Sequence, residues 1–214
     1  MTTFGTSAYL KLLALNPKPR DTEIRKRLGT QKGGYDFHKA MRRIVTEYAS
    51  ATVDWNTTET RLKAISKLPE RKSAISAAAT LMSWINGRPI RLLKDLKQHA
   101  ASPNGIYSVN FSPDFEIQLD GIATKIHLWN TIRPPIKLRE AIGTLGLFVP
   151  DDAPKSIGIL SLRTGELFIP SDVQSARDLA RMLALDIERR FLRVTEEEHR
   201  ERPKDRGMDK RTAQ

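Results

Sequence analysis

Seven cationic side chains, Arg25, Lys26, Arg27, Lys32, Lys39, Arg42 and Arg43, are the residues of this chain best suited to engaging a charged partner. They lie in the stretch Lys18 to Arg43, where nine Lys or Arg face only Asp21, Glu23 and Asp36. Guanidinium and ammonium groups gathered on one surface bind phosphates by releasing condensed counterions, which gives affinity without sequence preference. Lys32 and the backbone N–H groups of Gly33-Gly34, ahead of the next helix, are placed to hold one phosphate. A second basic set, Arg61 to Lys97, has nine cations against Glu70 and Asp95. Charge runs also arise on merely solvated helices, so their segregation along the chain is what gives them weight.

Residues for bond-making chemistry are sparse. The chain has no Cys, which excludes disulfides, thiolate metal sites and a Cys nucleophile. Its four histidines are His38, His99, His127 and His199, and none has a two-His metal spacing. His127 is expected on the polar side of a strand, near Asp114, as a satisfied surface residue. Pro113-Asp114 before Glu116 fits part of a metal-dependent nuclease pattern, but the acid-x-Lys that should follow is missing. Glu116 also has a structural role, as cross-strand partner of Lys125. Gly29-Thr-Gln-Lys-Gly-Gly34 lacks the Gly-Lys-Ser/Thr ending of a nucleotide loop, and no Gly-x-Ser-x-Gly elbow exists. Asp151-Asp152 is a solvated acid pair with no third ligand in view. No catalytic residue, metal site or cofactor is assigned.

The elements that must position these residues are legible in part. Phe115 to Trp129 reads as a hairpin around Asp120-Gly121, because both central positions of such a turn need positive φ. The two-residue turn sets Leu119 opposite Ile122, Ile117 opposite Thr124 and Phe115 opposite Ile126. The same register sets Glu116 opposite Lys125. Ile106 to Phe111 is a further strand, Leu147 to Val149 a brief one, and Ile157 to Leu162 with Leu167 to Ile169 a second hairpin about Gly165.

Helices are predicted over Ser7 to Leu15, from Asp21 to Gly29 and from Asp36 with Phe37, Met41, Ile44, Val45 and Tyr48 inward. Further helices follow from an Asn56 cap, over Glu70 to Ile85 with Ile75, Ala78, Ala79, Met82 and Ile85 on one face, and over Pro89 to Ala100. Ile136 to Leu145 is a short helix. Ser171 with Gln174 forms a capping box that starts the strongest helix, striped by Val173, Ala176, Ala180, Leu183, Ile187 and Phe191. That helix is expected to cover the apolar side of the Asp120-Gly121 hairpin.

The fold expected is α+β: an N-terminal all-helical bundle, then a small antiparallel sheet of about five strands in two hairpins, covered by helices. The organisation expected is a basic helical domain at 1–100, an α+β domain at 101–194 and a charged disordered tail at 195–214. Residues 1–100 hold 19 Lys and Arg against 8 Asp and Glu, and residues 101–214 hold 17 of each, so the net charge of +11 sits wholly in the first half.

A polyanion partner follows from that split. The function expected is a non-catalytic nucleic-acid-binding protein, for DNA or RNA, with the α+β half for partner contact. An adaptor or regulatory subunit that binds an acidic protein is the alternative, and a metal-dependent phosphodiesterase the second. The order helix 89–100, three strands, helix 136–145 matches a double-stranded-RNA-binding domain, but the neutral charge there opposes it. No apolar run spans a bilayer and no signal peptide opens the chain, so a soluble, cytoplasmic location is expected.

Overall fold

A computed structural model describes residues 1–29, 38–93 and 96–201. Lys32, the Gly33-Gly34 loop, Asp36, Phe37 and residues 202–214 of the expected tail lie outside the described residues. Within them the chain is α+β, with seven α-helices, a three-stranded sheet and a five-stranded sheet.

Helices and strands interleave, which corrects the expected order of an all-helical first half followed by a sheet. The chain opens on strand β1 (Thr2–Gly5) and turns into α1 (Thr6–Ala14), then α2 (Pro17–Gly29), α3 (Lys39–Ala49), α4 (Trp55–Lys63) and α5 (Leu68–Ile85). Pro17 sits in the first turn of α2, where a missing N–H costs nothing. Asp21 is therefore inside that helix, not its cap. Asp54, not Asn56, caps α4, accepting the Thr57 N–H at 2.8 Å. In α5 the buried face is Ser73, Ala74, Ala77, Ala78, Leu81 and Ile85, while Ile75 is exposed.

Among its described residues, the region Pro89 to Ala100 is not a helix. Its described residues form β2 (Ile90–Leu92) and β3 (Gln98–Ala101). Leu92, Leu93 and Leu96 fit a helical stripe, yet pairing decides. Ile90 stands opposite Ile117 and Leu92 opposite Phe115, and exposed Arg91 reaches Glu116 at 2.8 Å. Arg91, not Lys125, is thus the ion-pair partner of Glu116, although Lys125 is opposite it in register.

Strands β4 (Tyr107–Phe111), β5 (Phe115–Leu119) and β6 (Ile122–Trp129) follow, then α6 (Leu138–Leu145), β7 (Ile157–Ser161), β8 (Leu167–Phe168) and α7 (Val173–Glu201). The β5–β6 register agrees with the sequence reading at all five pairs, from Phe115↔Ile126 to Leu119↔Ile122. Asp120 and Gly121 have φ of 49° and 78°. Alanine at Gly121 would hold an L side chain in that left-handed region, so Gly121→Ala should cost about 1–2 kcal/mol in urea unfolding, and Gly121→Asn less. Residues 147–149 continue the turn after α6 instead of forming a strand.

The sheets are ordered β1-β4-β3 and β2-β5-β6-β7-β8. Both are mixed, since β1 runs parallel to β4 and β6 parallel to β7. This corrects the expected purely antiparallel sheet. The five-stranded sheet is a middle layer. On one side Phe115, Ile117, Ile126, Leu128, Leu160 and Leu162 bury against Met41 and Ile44 of α3 and Ala77 and Leu81 of α5. On the other side Trp129, Ile157, Ile159 and Phe168 join Leu13 of α1, Leu145 of α6 and Ile187 of α7.

The apolar side of the Asp120-Gly121 hairpin is therefore covered by α3 and α5, not by the final helix. That helix packs against Phe4, Tyr107 and the opposite face, with the Phe191 ring 6.3 Å from Phe4. Each buried cluster draws residues from both sides of residue 101. Asp172 caps α7 through the Ser175 N–H at 2.7 Å, in place of Ser171. The helix runs through Glu201, so residues 195–201 of the expected tail lie within α7. Buried Val194 and the ion pairs of Arg25 with Glu197 and Glu198 hold this turn to α2.

Candidate functional site

The predicted cations separate into two groups. On α2, Arg25 is paired with Glu197 and Glu198 of α7. Arg27 lies 3.7 Å from Glu23 one turn back, and its guanidinium sits 5.7 Å above the Phe4 ring. Lys26 is exposed beside them. On α3, Arg42 turns inward, 3.4 Å from Asp114 and 3.3 Å from the Ser7 hydroxyl. Lys39 and Arg43, one turn apart, are exposed and make no ion pair among the described residues.

Arg43 also lines a shallow cavity of about 360 Å³ between α3, α4 and α5, with Arg61, Ser66 and Glu70. Arg61 is tied to Glu47 at 2.7 Å, while Lys67 and Lys72 stand at the exposed surface. From residue 38 to residue 88 there are nine Lys and Arg against four Asp and Glu. The two helices expected to act as one basic surface therefore differ. Acids of α7 neutralise much of α2, and α3 with α4 and α5 keeps an excess.

Near the first turns of α3, which reach Asn130 after β6 and Asp114 before β5, the chain assembles a second constellation. His127 of β6 is 3 % exposed, so it is a buried residue and not the surface one expected. Its Nδ1 lies 2.8 Å from the Ser112 carbonyl and 3.4 Å from the Asp114 carboxylate. Both are acceptors only, so Nδ1 carries the proton, and Nε2 of the neutral ring is an acceptor. At 2.9 Å from Nε2 lies the Ser7 Oγ, within reach for Nε2 of a neutral ring to accept its hydroxyl proton. Asp114 is itself fixed by the Leu128 N–H at 2.8 Å and by Arg42.

One turn before Arg42, His38 faces Asn130, with 3.4 Å between His38 Nδ1 and Asn130 Nδ2. Asn130 donates to Ser73 at 3.1 Å, and Arg163 donates to Ser73 at 2.5 Å and to the Asn130 carbonyl at 3.1 Å. Burial pulls the Arg163 guanidinium below its ordinary value. Asn130 Oδ1 is buried without a hydrogen-bond partner among the described residues.

The Asp114–His127 neighbourhood follows from the hairpin register. Ser7 does not, because it comes from 120 residues away. Its available signal is Gly5-Thr6-Ser7 at a strand-to-helix junction, which becomes visible only when Thr2–Gly5 is read as a strand. Asp114 and Glu116 are engaged by Arg42, His127 and Arg91, and no group of three or more His, Cys, Asp or Glu among the described residues could hold a metal ion. Among the described residues, no helix is long and apolar enough to cross a membrane.

No family model matches the chain, and no curated protein matches it. A solved structure described as "Crystal structure of SSO0001" is similar at 12 % identity over 81 % of this chain and 84 % of that one, with a TM-score of 0.30. A similarity at that level carries no argument about fold or function.

Proposed function

We propose that the protein binds nucleic acid through the surface formed by α3, α4 and α5. The reading is narrower than the one drawn from composition. It leaves out Arg25 and Arg27, whose charges are met by Glu197, Glu198 and Glu23. The observation that carries it is the pair Lys39 and Arg43, which project from successive turns of α3 without an acidic partner among the described residues. Lys72, exposed on α5, extends the positive surface. Contacts of this kind go to phosphate, so affinity falls with salt and depends little on base sequence.

The test is fluorescence anisotropy with labelled DNA and RNA oligonucleotides at several salt concentrations. Lys39→Glu with Arg43→Glu should weaken binding about tenfold or more and reduce the slope of log K against log salt by about 2. Arg25→Glu with Arg27→Glu should change affinity by no more than about twofold. The proposal fails if the wild-type chain does not bind at low salt, or if the α3 variant binds as wild type does.

A further inference from the structure

We propose that Ser7 is a nucleophile activated by His127, and that the Ser7–His127–Asp114 constellation hydrolyses a carboxylic ester. The inference is independent of nucleic-acid binding and uses residues on a different face of α3. It rests on three geometric facts.

First, Ser7 Oγ and His127 Nε2 are 2.9 Å apart, within reach for direct proton transfer. Second, the ring is held in one tautomer. The Ser112 carbonyl accepts the Nδ1 proton at 2.8 Å, with the Asp114 carboxylate 3.4 Å from the same nitrogen, which leaves the Nε2 lone pair for the serine. An orienting carboxylate, a base and a hydroxyl in this order are recognised by geometry and roles, whatever their order in the chain. Third, Ser7 is half-buried, not sealed, and lies in the first turn of α1. A helix leaves its first backbone N–H groups without internal acceptors, and Ser7 is among those first residues of α1. The Arg42 guanidinium, 3.3 Å from Oγ, adds a cation where an oxyanion would develop.

The chemistry balances without a metal or cofactor. Ser7 Oγ attacks the ester carbonyl carbon, and its proton passes to His127 Nε2. The bond to the leaving alkoxide breaks, and the alkoxide takes that proton and departs as the alcohol. Water then attacks the acyl-serine, again giving its proton to Nε2. That proton returns to Ser7 Oγ as the carboxylic acid leaves. Asp114 is a positioning residue that favours the imidazolium formed in each half-reaction. The same attack on a fluorophosphonate forms an Oγ–P bond and expels fluoride, which leaves a stable mark.

The experiment incubates the full chain with a fluorophosphonate and locates the adduct by peptide mass spectrometry. The expected result is an adduct on Ser7 in the folded chain and none after heat denaturation. His127→Ala should slow labelling by about a hundredfold or more. Asp114→Asn should also slow it, because the neutral amide no longer favours the imidazolium, while the Ser112 carbonyl still holds the tautomer. Should His127→Ala fail to fold, Ser7→Cys gives a second reading. Its thiol should react with iodoacetamide at pH 7 about tenfold faster in the folded chain than in the denatured one. Ser7 unlabelled in folded wild type, labelling that persists in a folded His127→Ala, or a Ser7→Cys thiol no faster than in denatured chain would each overturn the proposal. In any of these cases the contact is only a tie between α1 and β6.

Discussion

Replacing Gly146 by alanine should cost the protein more than about 3 kcal/mol and leave little folded material. Gly146 ends α6 where that helix meets the first turn of α7. A Cβ there would lie 2.0 Å from the Ala176 carbonyl oxygen, 2.5 Å from its carbon and 2.9 Å from the Ala180 Cβ. Two of these atoms belong to backbone, so no rotamer change relieves the clash. The helix would have to withdraw, and it carries Ile187, Phe191 and Val194 into the core. Gly143→Ala is the control. Its added carbon would also meet an atom too closely, Leu183 Cδ1 at 2.3 Å. That atom is the tip of a side chain that can turn, so about 1–3 kcal/mol is expected. Circular dichroism during urea unfolding ranks the two. A Gly146→Ala midpoint within about 2 °C of wild type on heating would show that α6 and α7 do not pack this closely.

Removing the Glu188 carboxylate should have the second largest effect, about 3 kcal/mol for Glu188→Ala. Glu188 is 2 % exposed on the inner side of α7. Its two oxygens accept the Asn104 backbone N–H at 2.8 Å and the Asn104 side-chain amide at 2.6 Å. It thereby pins the turn from Ser102 to Gly105 that leads into β4. Burial pushes its pKa up, but hydrogen bonds from Ser102, Asn104 and Ile106 outweigh that and hold it below the ordinary glutamate value. A carboxylate depressed in the folded state contributes stability above its unfolded pKa, about 4.3, and loses it as pH falls through the folded value. Wild-type stability should therefore decline below about pH 4, and Glu188→Gln should flatten that decline while costing about 1–2 kcal/mol at neutral pH. Identical acid profiles for the two proteins would remove Glu188 from this role.

Parts of this architecture were legible because independent local patterns agreed. Asp120-Gly121 required positive φ, and the register it imposed collected Phe115, Ile117 and Leu119 on one side while placing Glu116 opposite Lys125. The stripe of Val173, Ala176, Ala180, Leu183, Ile187 and Phe191 likewise had one reading, and all but half-buried Val173 are buried. Illegible parts depended on distant partners. Thr2-Thr3-Phe4-Gly5 offers a single large apolar residue, and only its pairing with β4 makes it a strand. Leu92, Leu93 and Leu96 have a spacing that favours a helix in isolation, but β5 offers an open edge to Ile90–Leu92.

The functional readings follow the same division. Arg25 resembled a free cation because its acids, Glu197 and Glu198, come from the far end of the chain. His127 beside Asp114 was readable from the hairpin. Ser7 was hidden because a search for Gly-x-Ser-x-Gly demands a second glycine that this junction does not use.

The pairing of β1 with β4 also bears on how the chain is made. Thr3 and its neighbour Ser108 are 105 residues apart, and Phe4, 1 % exposed when folded, has its place beside Val109. At a synthesis rate of 5–20 residues per second, the leading strand waits roughly 5–20 s for its mate to be translated. During that interval Phe4 and the neighbouring Tyr9-Leu10 lack the β4 residues that bury them in the folded chain, which makes this strand-helix segment a place for a chaperone to bind.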